Sequence, residues 1–486
     1  MFLGIDVGTS SVKAVLMDDG GGIGAQGSSA LTVERPHPLW SEQNPESWWK
    51  ATVDAVRALP EKERKAVKGV GLSGQMHGAT LLDSSDKPLR PAILWNDGRS
   101  EAECVELEKI EPRSRQITGN LAMPGFTAPK LLWVRKHEPD VFKKIKTVLL
   151  PKDYVRLKLN GEKAGDMSDN AGTLWLDVAK RDWSDAMLKA TDLTRANMPK
   201  AVEGTAPTGK ITAAVAGELG IPQAVVAGGG GDNAASAAGV GVVAPGQAFL
   251  SLGTSGVLFV VTDKFRPNPE KAAHAFCHCI PKTWHQMSVI LTAAANIDWV
   301  TQLCGYKNVV ETVAAAEKRG LTKQTPIFLP YLSGERTPHN DAYARGVFFG
   351  LSAETTSADL AYAVLEGVAF AFADGIDVLK EAGSQIGDVT VVGGAARLPF
   401  WGPMLATALD VPLTYREGGE VGGAFGAARL GRVAATGEDP VKVCTAPKVS
   451  RIVQPVATLK QQMAPRRALF VSLYQNLKTS FREFGK

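Results

Sequence analysis

The chain has 486 residues, 44% of them hydrophobic and 21% charged, and its 54 basic against 50 acidic side chains leave a formal net charge of +4. That describes an ordinary globular protein with room for two or more domains, and the near-balance of charge, with no Lys/Arg tract, argues against a nucleic-acid partner. Five scattered cysteines (Cys104, Cys277, Cys279, Cys304, Cys444) are too few and too dispersed for a disulfide framework and favour a reducing, cytoplasmic setting.

Residues 2–33 read as a meander of short strands, the first turn at Gly8-Thr9-Ser10 and the second at Asp18-Asp19-Gly20-Gly21-Gly22. A strand starting at residue 2 leaves no room for a signal peptide. Pro45-Glu46-Ser47-Trp48-Trp49 opens an amphipathic helix that ends near Leu59-Pro60. A strand from Val67 to Leu72 runs into Ser73-Gly74-Gln75-Met76-His77-Gly78. Strands and helices alternate up to a short buried strand, Ala224 to Ala227. Four glycines, Asp232-Asn233 and a small-residue helix from Ala234 to Gly239 follow.

The second half repeats the plan. Gly8-Thr9-Ser10-Ser11-Val12-Lys13-Ala14-Val15-Leu16-Met17 returns, 245 residues on, as Gly253-Thr254-Ser255-Gly256-Val257-Leu258-Phe259-Val260-Val261-Thr262. In both copies apolar strands enter and leave a Gly-Thr-Ser turn, the pattern of a tight β-hairpin. A long helix over 357–382 leads to a strand, Val389 to Val392, a Gly393-Gly394 turn and another helix. The long helix is the most apolar one, and Glu366, Asp374 and Asp377 interrupt it, which excludes a membrane span. Pro245-Gly246 marks the boundary, dividing the chain into 1–244 and 245–486, with the stretch from about Thr445 peripheral. Two α/β domains around a cleft is the expected architecture.

Several motifs carry no chemistry. Gly204 to Lys210 matches most of a Walker A spacing, but Ile211 stands where a Mg²⁺-binding Ser or Thr is required. Gly69-Val70-Gly71-Leu72-Ser73-Gly74 fits the dinucleotide fingerprint by letter only, its glycines lying within a strand. His274, Cys277, His278, Cys279 and His285 lack a second cysteine pair and read as packed core; strand alternation puts Cys277 and Cys279 on one face and His278 on the other.

Two carboxylates stand out. Asp6 ends an apolar strand beside Gly8-Thr9, where it is costly unless it meets a cation, and a Mg²⁺ ion held through water on a phosphate chain would satisfy it. Asp232 could be the N-cap of the following helix. The four preceding glycines suggest more, a backbone another molecule can approach closely, and an ionised Asp facing a substrate hydroxyl is what a general base for phosphoryl transfer requires. The paired Gly-Thr-Ser turns suggest two loops gripping one phosphate chain, and the side-chain-free Gly393-Gly394 suits adenine or ribose.

Ile5-Asp6-Val7-Gly8-Thr9-Ser10, Leu252-Gly253-Thr254-Ser255-Gly256 and Val392-Gly393-Gly394 resemble the two phosphate loops and the adenosine loop of the actin/hexokinase/Hsp70 superfamily. Gly125-Phe126-Thr127-Ala128-Pro129-Lys130 through His137, and Gly346 to Leu351 with Asp359-Leu360 to Glu366, resemble the two signatures of the FGGY carbohydrate kinases. Ser73 to Gly78, Leu94-Trp95-Asn96-Asp97-Gly98-Arg99 and Gly230-Gly231-Asp232-Asn233-Ala234 are similar to the branch acting on D-xylulose; the glycerol branch carries Arg-Glu where this chain has Met76-His77. Ala395 and Leu398 depart from the Gly and Ser often found there.

The resemblance implies two actin-like (ribonuclease H-like) α/β domains with an interdomain cleft. It implies ATP- and Mg²⁺-dependent phosphorylation of D-xylulose on its 5-hydroxyl. Asp232 would be the base and Asp6 would position Mg²⁺. The Met76 backbone, His77, Asn233 and Trp95 would hold the sugar. Gly8, Thr9, Ser10, Gly253, Thr254 and Ser255 would hold the phosphates, and Gly393 and Gly394 the adenosine. Lys13 either neutralises phosphate charge or is a solvated strand lysine. A sister kinase for ribulose, glycerol or gluconate is the nearest alternative, and an actin-like ATPase scaffold or a sugar sensor without chemistry are alternatives of other classes. Oligomeric state is open, a homodimer being allowed.

Overall fold

The computed structural model describes residues 1–417 and 422–484. Among them the architecture rests on two seven-stranded sheets, one drawn from each half of the chain. The first runs in the order Pro207–Lys210, Val225–Ala227, Gly69–Gly74, Phe2–Val7, Ser11–Met17, Ile23–Ala30, with Gly230–Gly231 also pairing along Gly69–Gly74. The second runs His274–Cys277, Trp284–Ile290, Gly256–Thr262, Ala248–Leu252, Val389–Val392, Leu413–Arg416, Val449–Val453.

The repeated hairpin is present twice. Phe2–Val7 and Ser11–Met17 pair antiparallel from Phe2↔Met17 to Val7↔Val12, which sets Asp6 opposite Lys13. Ala248–Leu252 and Gly256–Thr262 pair antiparallel from Ala248↔Val260 to Leu252↔Gly256. In each sheet the first hairpin strand also pairs in parallel with a neighbour whose end meets the cleft: Asp6↔Ser73 in one sheet, Ser251↔Val392 in the other. Both Gly-Thr-Ser turns thus open at the carboxyl ends of parallel strands, where ligands of α/β sheets bind.

Side-chain alternation explains why the first hairpin is apolar on both faces. Leu3, Ile5, Val7, Val12, Ala14 and Leu16 join one buried cluster, while Phe2, Val15 and Met17 pack on Ala424, Phe425 and Ala428. The helix supplying those last three, Gly423–Thr436, comes late in the chain yet lies on the first sheet. A Cβ at Gly4 would fall on the Ala424 carbonyl and one at Gly71 on the Ala427 carbonyl. The two halves share a further cluster, in which Phe126, Trp175 and Val240 pack with Phe249, Phe259 and Phe276.

Boundaries moved by a few residues. The first helix is Pro45–Arg57, capped by Asn44, the long helix is Ser357–Glu381, and the strand before Ser73 is Gly69–Gly74. Two readings need correction. The last forty residues are not peripheral: Val449–Val453 closes the second sheet, and Ala457–Phe484 buries Met463, Phe470, Leu473, Tyr474 and Phe481 in the larger core. The Cys/His segment is a hairpin, His274–Cys277 with Trp284–Ile290, so Cys279 lies in its connection and cannot share a strand face with Cys277. His278 Nδ1 lies 3.4 Å from Cys279 Sγ, both side chains are buried, and no metal-binding group of His, Cys, Asp or Glu occurs among the described residues.

Candidate active site

Asp6 and Asp232 lie near enough that the charge of one acts on the other. Asp6 Oδ1 is buried without a hydrogen-bond partner among the described residues, as is the neighbouring Ser73 hydroxyl. Burial raises the Asp6 carboxyl above its ordinary range, and the charge of Lys13 offsets part of that rise. An orphaned carboxylate oxygen of this kind fits a hard divalent cation. Lys13 is exposed and lines a cavity of about 490 Å³ with Asp6, Gln26, Ser28 and Gly422. It therefore faces the groove that Asp6 faces.

Asp232 is the first residue of the helix Asp232–Val240, and Gly231 occupies the N-cap position. The expected N-cap alternative for Asp232 is thereby corrected by one residue. Its Oδ1 accepts from the Asn233 N–H at 2.7 Å and from Asn233 Nδ2 at 3.0 Å. Burial, and then the negative charge of Asp6, push its carboxyl up to about 6. At neutral pH it is ionised yet basic enough to accept a proton. The four glycines also have a different reason from the one expected. A Cβ at Gly229, whose φ is +83°, would fall on the Leu72 carbonyl, and one at Gly231 would sit 3.0 Å from the Met76 side chain. The run is tight against its own chain.

His77 follows a strand and a turn and has φ +69°, a left-handed conformation uncommon outside glycine. Its Nδ1 lies 2.6 Å from the Gly172 carbonyl. A carbonyl only accepts, so Nδ1 carries the proton and Nε2 is left as an acceptor for a ligand hydroxyl. Burial, then the charge of Lys130, lower the ring to about 3, so it stays neutral. The His77 carbonyl accepts from Thr127 Oγ1 at 3.1 Å and Lys130 Nζ at 2.9 Å, and Phe126 meets the ring edge-on at 4.7 Å. The first signature segment therefore acts by holding His77. Met76 is buried beside Gly172 and Gly231.

The Trp95 indole N–H donates to Thr9 Oγ1 at 3.0 Å, so its one polar atom is bound to the first Gly-Thr-Ser turn. Thr9 Oγ1 donates in turn to Gln75 Oε1 at 3.2 Å, and Gln43 Nε2 donates to the Thr9 carbonyl at 2.7 Å. Ser10 is exposed, and its carbonyl accepts from the Leu31 N–H at 2.8 Å. In the second loop Ala294 and Ala293 N–H groups hold the Gly253 and Thr254 carbonyls at 2.9 and 2.8 Å, leaving the Thr254 and Ser255 side chains exposed.

A second cavity of about 490 Å³ lies between the sheets, lined by Asn233, Ser236, Phe249, Gly393, Gly394 and Gly422 among others. A Cβ at Gly393, φ +96°, would fall 2.7 Å from the Leu252 carbonyl, so only glycine fits beside the hairpin. Asn233 lines this cavity and also bonds Asp232. Sequence reasoning gave no individual role to Gln43, Gln75, Thr127 or Lys130. Thr127 and Lys130 lay inside a recognised signature and Gln75 inside the Ser73–Gly78 segment, but no motif marks Gln43.

Family models confirm the relationship. The N-terminal domain model of the FGGY family of carbohydrate kinases matches residues 1–239 and its C-terminal domain model matches 248–435. The chain belongs to the FGGY family of carbohydrate kinases. It is 53% identical over 479 residues to the xylulose kinase of Escherichia coli K12, covering 98% of this chain and 99% of that one. A crystal structure described as a xyloylose kinase, from Brucella ovis, is 50% identical with a TM-score of 0.94, over 98% of this FGGY kinase and 99% of that chain. A gluconate kinase from Lactobacillus acidophilus reaches the same TM-score at 23% identity, over 99% of each chain. At that distance the likeness speaks for the fold alone.

Proposed function

We propose that this FGGY kinase transfers the γ-phosphoryl group of ATP to the 5-hydroxyl of D-xylulose. The single observation that carries the sugar assignment is the 53% identity to a xylulose kinase across 98% of the chain. The site chemistry agrees with it. His77 offers Nε2 to one sugar hydroxyl, and the Met76 main chain and the Trp95 ring bound the same space. Asp232 takes the proton of the 5-hydroxyl as its oxygen attacks the γ-phosphorus and the bond to the bridging β–γ oxygen breaks, releasing ADP. The residues Gly8-Thr9-Ser10 and Gly253-Thr254-Ser255 hold the phosphates, and Gly393-Gly394 borders the adenosine. Asp6 would hold Mg²⁺, which when bound offsets charge on the phosphate chain. Five free thiols suit a reducing cytoplasm, and among the described residues no helix is long and apolar enough to cross a membrane.

The test is a coupled ADP-release assay across D-xylulose, D-ribulose, glycerol and gluconate. D-xylulose should lead glycerol in kcat/KM by a factor matching ~2 kcal/mol or more, since a polar pocket left unpaired discriminates strongly. Comparable efficiency with glycerol would remove the xylulose assignment.

A further inference from the structure

Behind the sugar side of the cleft lies a knot of charge that none of the roles above uses. Lys152 Nζ sits 2.7 Å from Asp153 Oδ1, 2.9 Å from Asp166 Oδ1 and 3.2 Å from Asp169 Oδ2, and all four side chains have zero exposure. Burial opposes the charge of Lys152, but the three carboxylates outweigh it and raise its pKa. Buried ion clusters bring little net stability, because desolvation cancels most of the attraction. Its two arms give it another use. Arg156, also fully buried and 3.6 Å from Asp153 Oδ1, donates to the Ala227 carbonyl at 2.6 Å and the Gly228 carbonyl at 2.5 Å. Asp166 Oδ2 accepts from the Ser168 N–H at 2.8 Å and its hydroxyl at 2.5 Å, and that hydroxyl accepts from the Gly231 N–H at 3.1 Å.

The two arms meet the two ends of the segment 227–231, and Asp232 is the next residue. Gly228 to Gly231 have no side chains with which to anchor themselves, and glycine backbone has the most freedom to lose. We propose that the Lys152–Asp153–Asp166 knot, acting through Arg156 and Ser168, is a positioning device that clamps both ends of the glycine run and so fixes Asp232 relative to the attacking hydroxyl. The proposal rests on the reading of Asp232 as general base. A displacement of the base by a fraction of an ångström lowers kcat while leaving the sugar and nucleotide contacts in place.

Ser168→Ala removes one arm with the loss of a single oxygen, and Arg156→Lys loosens the other. Each is measured for kcat and both KM values, with thermal unfolding as the check on folding. The expected Ser168→Ala result is a kcat loss of about tenfold or more with KM changes below about threefold, and Arg156→Lys should show the same split. Wild-type kcat in folded Ser168→Ala overturns the proposal, as does a rise in sugar KM without loss of kcat. If Arg156→Lys fails to fold, Ser168→Ala decides alone. Asp232→Asn, assayed alongside, separates the two ideas. An active Asp232→Asn defeats the base assignment, whereas an inactive Asp232→Asn beside a fully active Ser168→Ala defeats only the clamp.

Discussion

Replacing Asp232 by Asn keeps the side chain's shape and its acceptor oxygen for the Asn233 N–H, and removes the negative charge and the proton-accepting capacity. General-base assistance is worth about 10² to 10⁴ in rate, so kcat should fall by at least that lower figure while sugar and ATP still bind, as calorimetry would show. The wild-type kcat should also fall on the acid side of about pH 6, where the carboxyl takes up its proton. Stability should move the opposite way. The folded state raises this acid from 3.8 to about 6, so it disfavours ionisation. The penalty is absent below 3.8, grows as pH rises through the interval and is complete above about 6. That interval corresponds to ~3 kcal/mol, and solvent at the cleft mouth screens part of it, leaving about 1–2 kcal/mol. Asp232→Asn should therefore unfold at a higher temperature than wild type at pH 8, with the gap closing as pH falls towards 4. Retention of more than a tenth of wild-type kcat would refute the base assignment. The search would then turn to Asp6. Asp97, the carboxylate of the Leu94–Arg99 segment, is not a further candidate, because Arg99 bonds both its oxygens, at 2.9 and 2.7 Å, and the Ser41 N–H takes a further position at 2.6 Å.

Three other outcomes are expected. His77→Ala should raise the sugar KM by about 10- to 100-fold, since Gly172 loses its donor and the sugar its acceptor, and calorimetry should find ATP affinity unchanged; weakened ATP binding with a normal sugar KM would contradict it. Trp95→Phe removes the indole N–H bonded to Thr9 together with part of the ring, and should weaken ATP by ~2- to 10-fold with a smaller effect on the sugar KM; a change confined to the sugar KM would assign Trp95 to sugar contact alone. Gly71→Ala drives a methyl into the Ala427 carbonyl and should cost about 1–3 kcal/mol in denaturant unfolding, while an unchanged midpoint would show that the helix Gly423–Thr436 can move off the sheet.

What the sequence determined by itself was whatever short-range pattern encodes. Gly-Thr-Ser between apolar β-formers specifies a hairpin, so both hairpins were legible, as was their repetition at a spacing of 245 residues. Asp6 at the end of an apolar strand and Asp232 after four glycines were legible because a carboxylate in such a setting is costly without a purpose. Tertiary structure alone decided who touches whom. Only folding brings the Trp95 indole to Thr9, the Lys130 ammonium to the His77 carbonyl, and Arg156 and Ser168 to opposite ends of the glycine run. The C-terminal stretch was expected to be peripheral, but Phe470 and Tyr474 of the helix Ala457–Phe484 fill a core that residues 327–331 and 361–379 also build. The glycines of the run looked like an opening for a ligand; the Leu72 carbonyl and Met76 occupy that space. Local pattern states that a residue must be small or charged. Which atom imposes the requirement is fixed by contacts between segments far apart in the chain, and no local pattern records those.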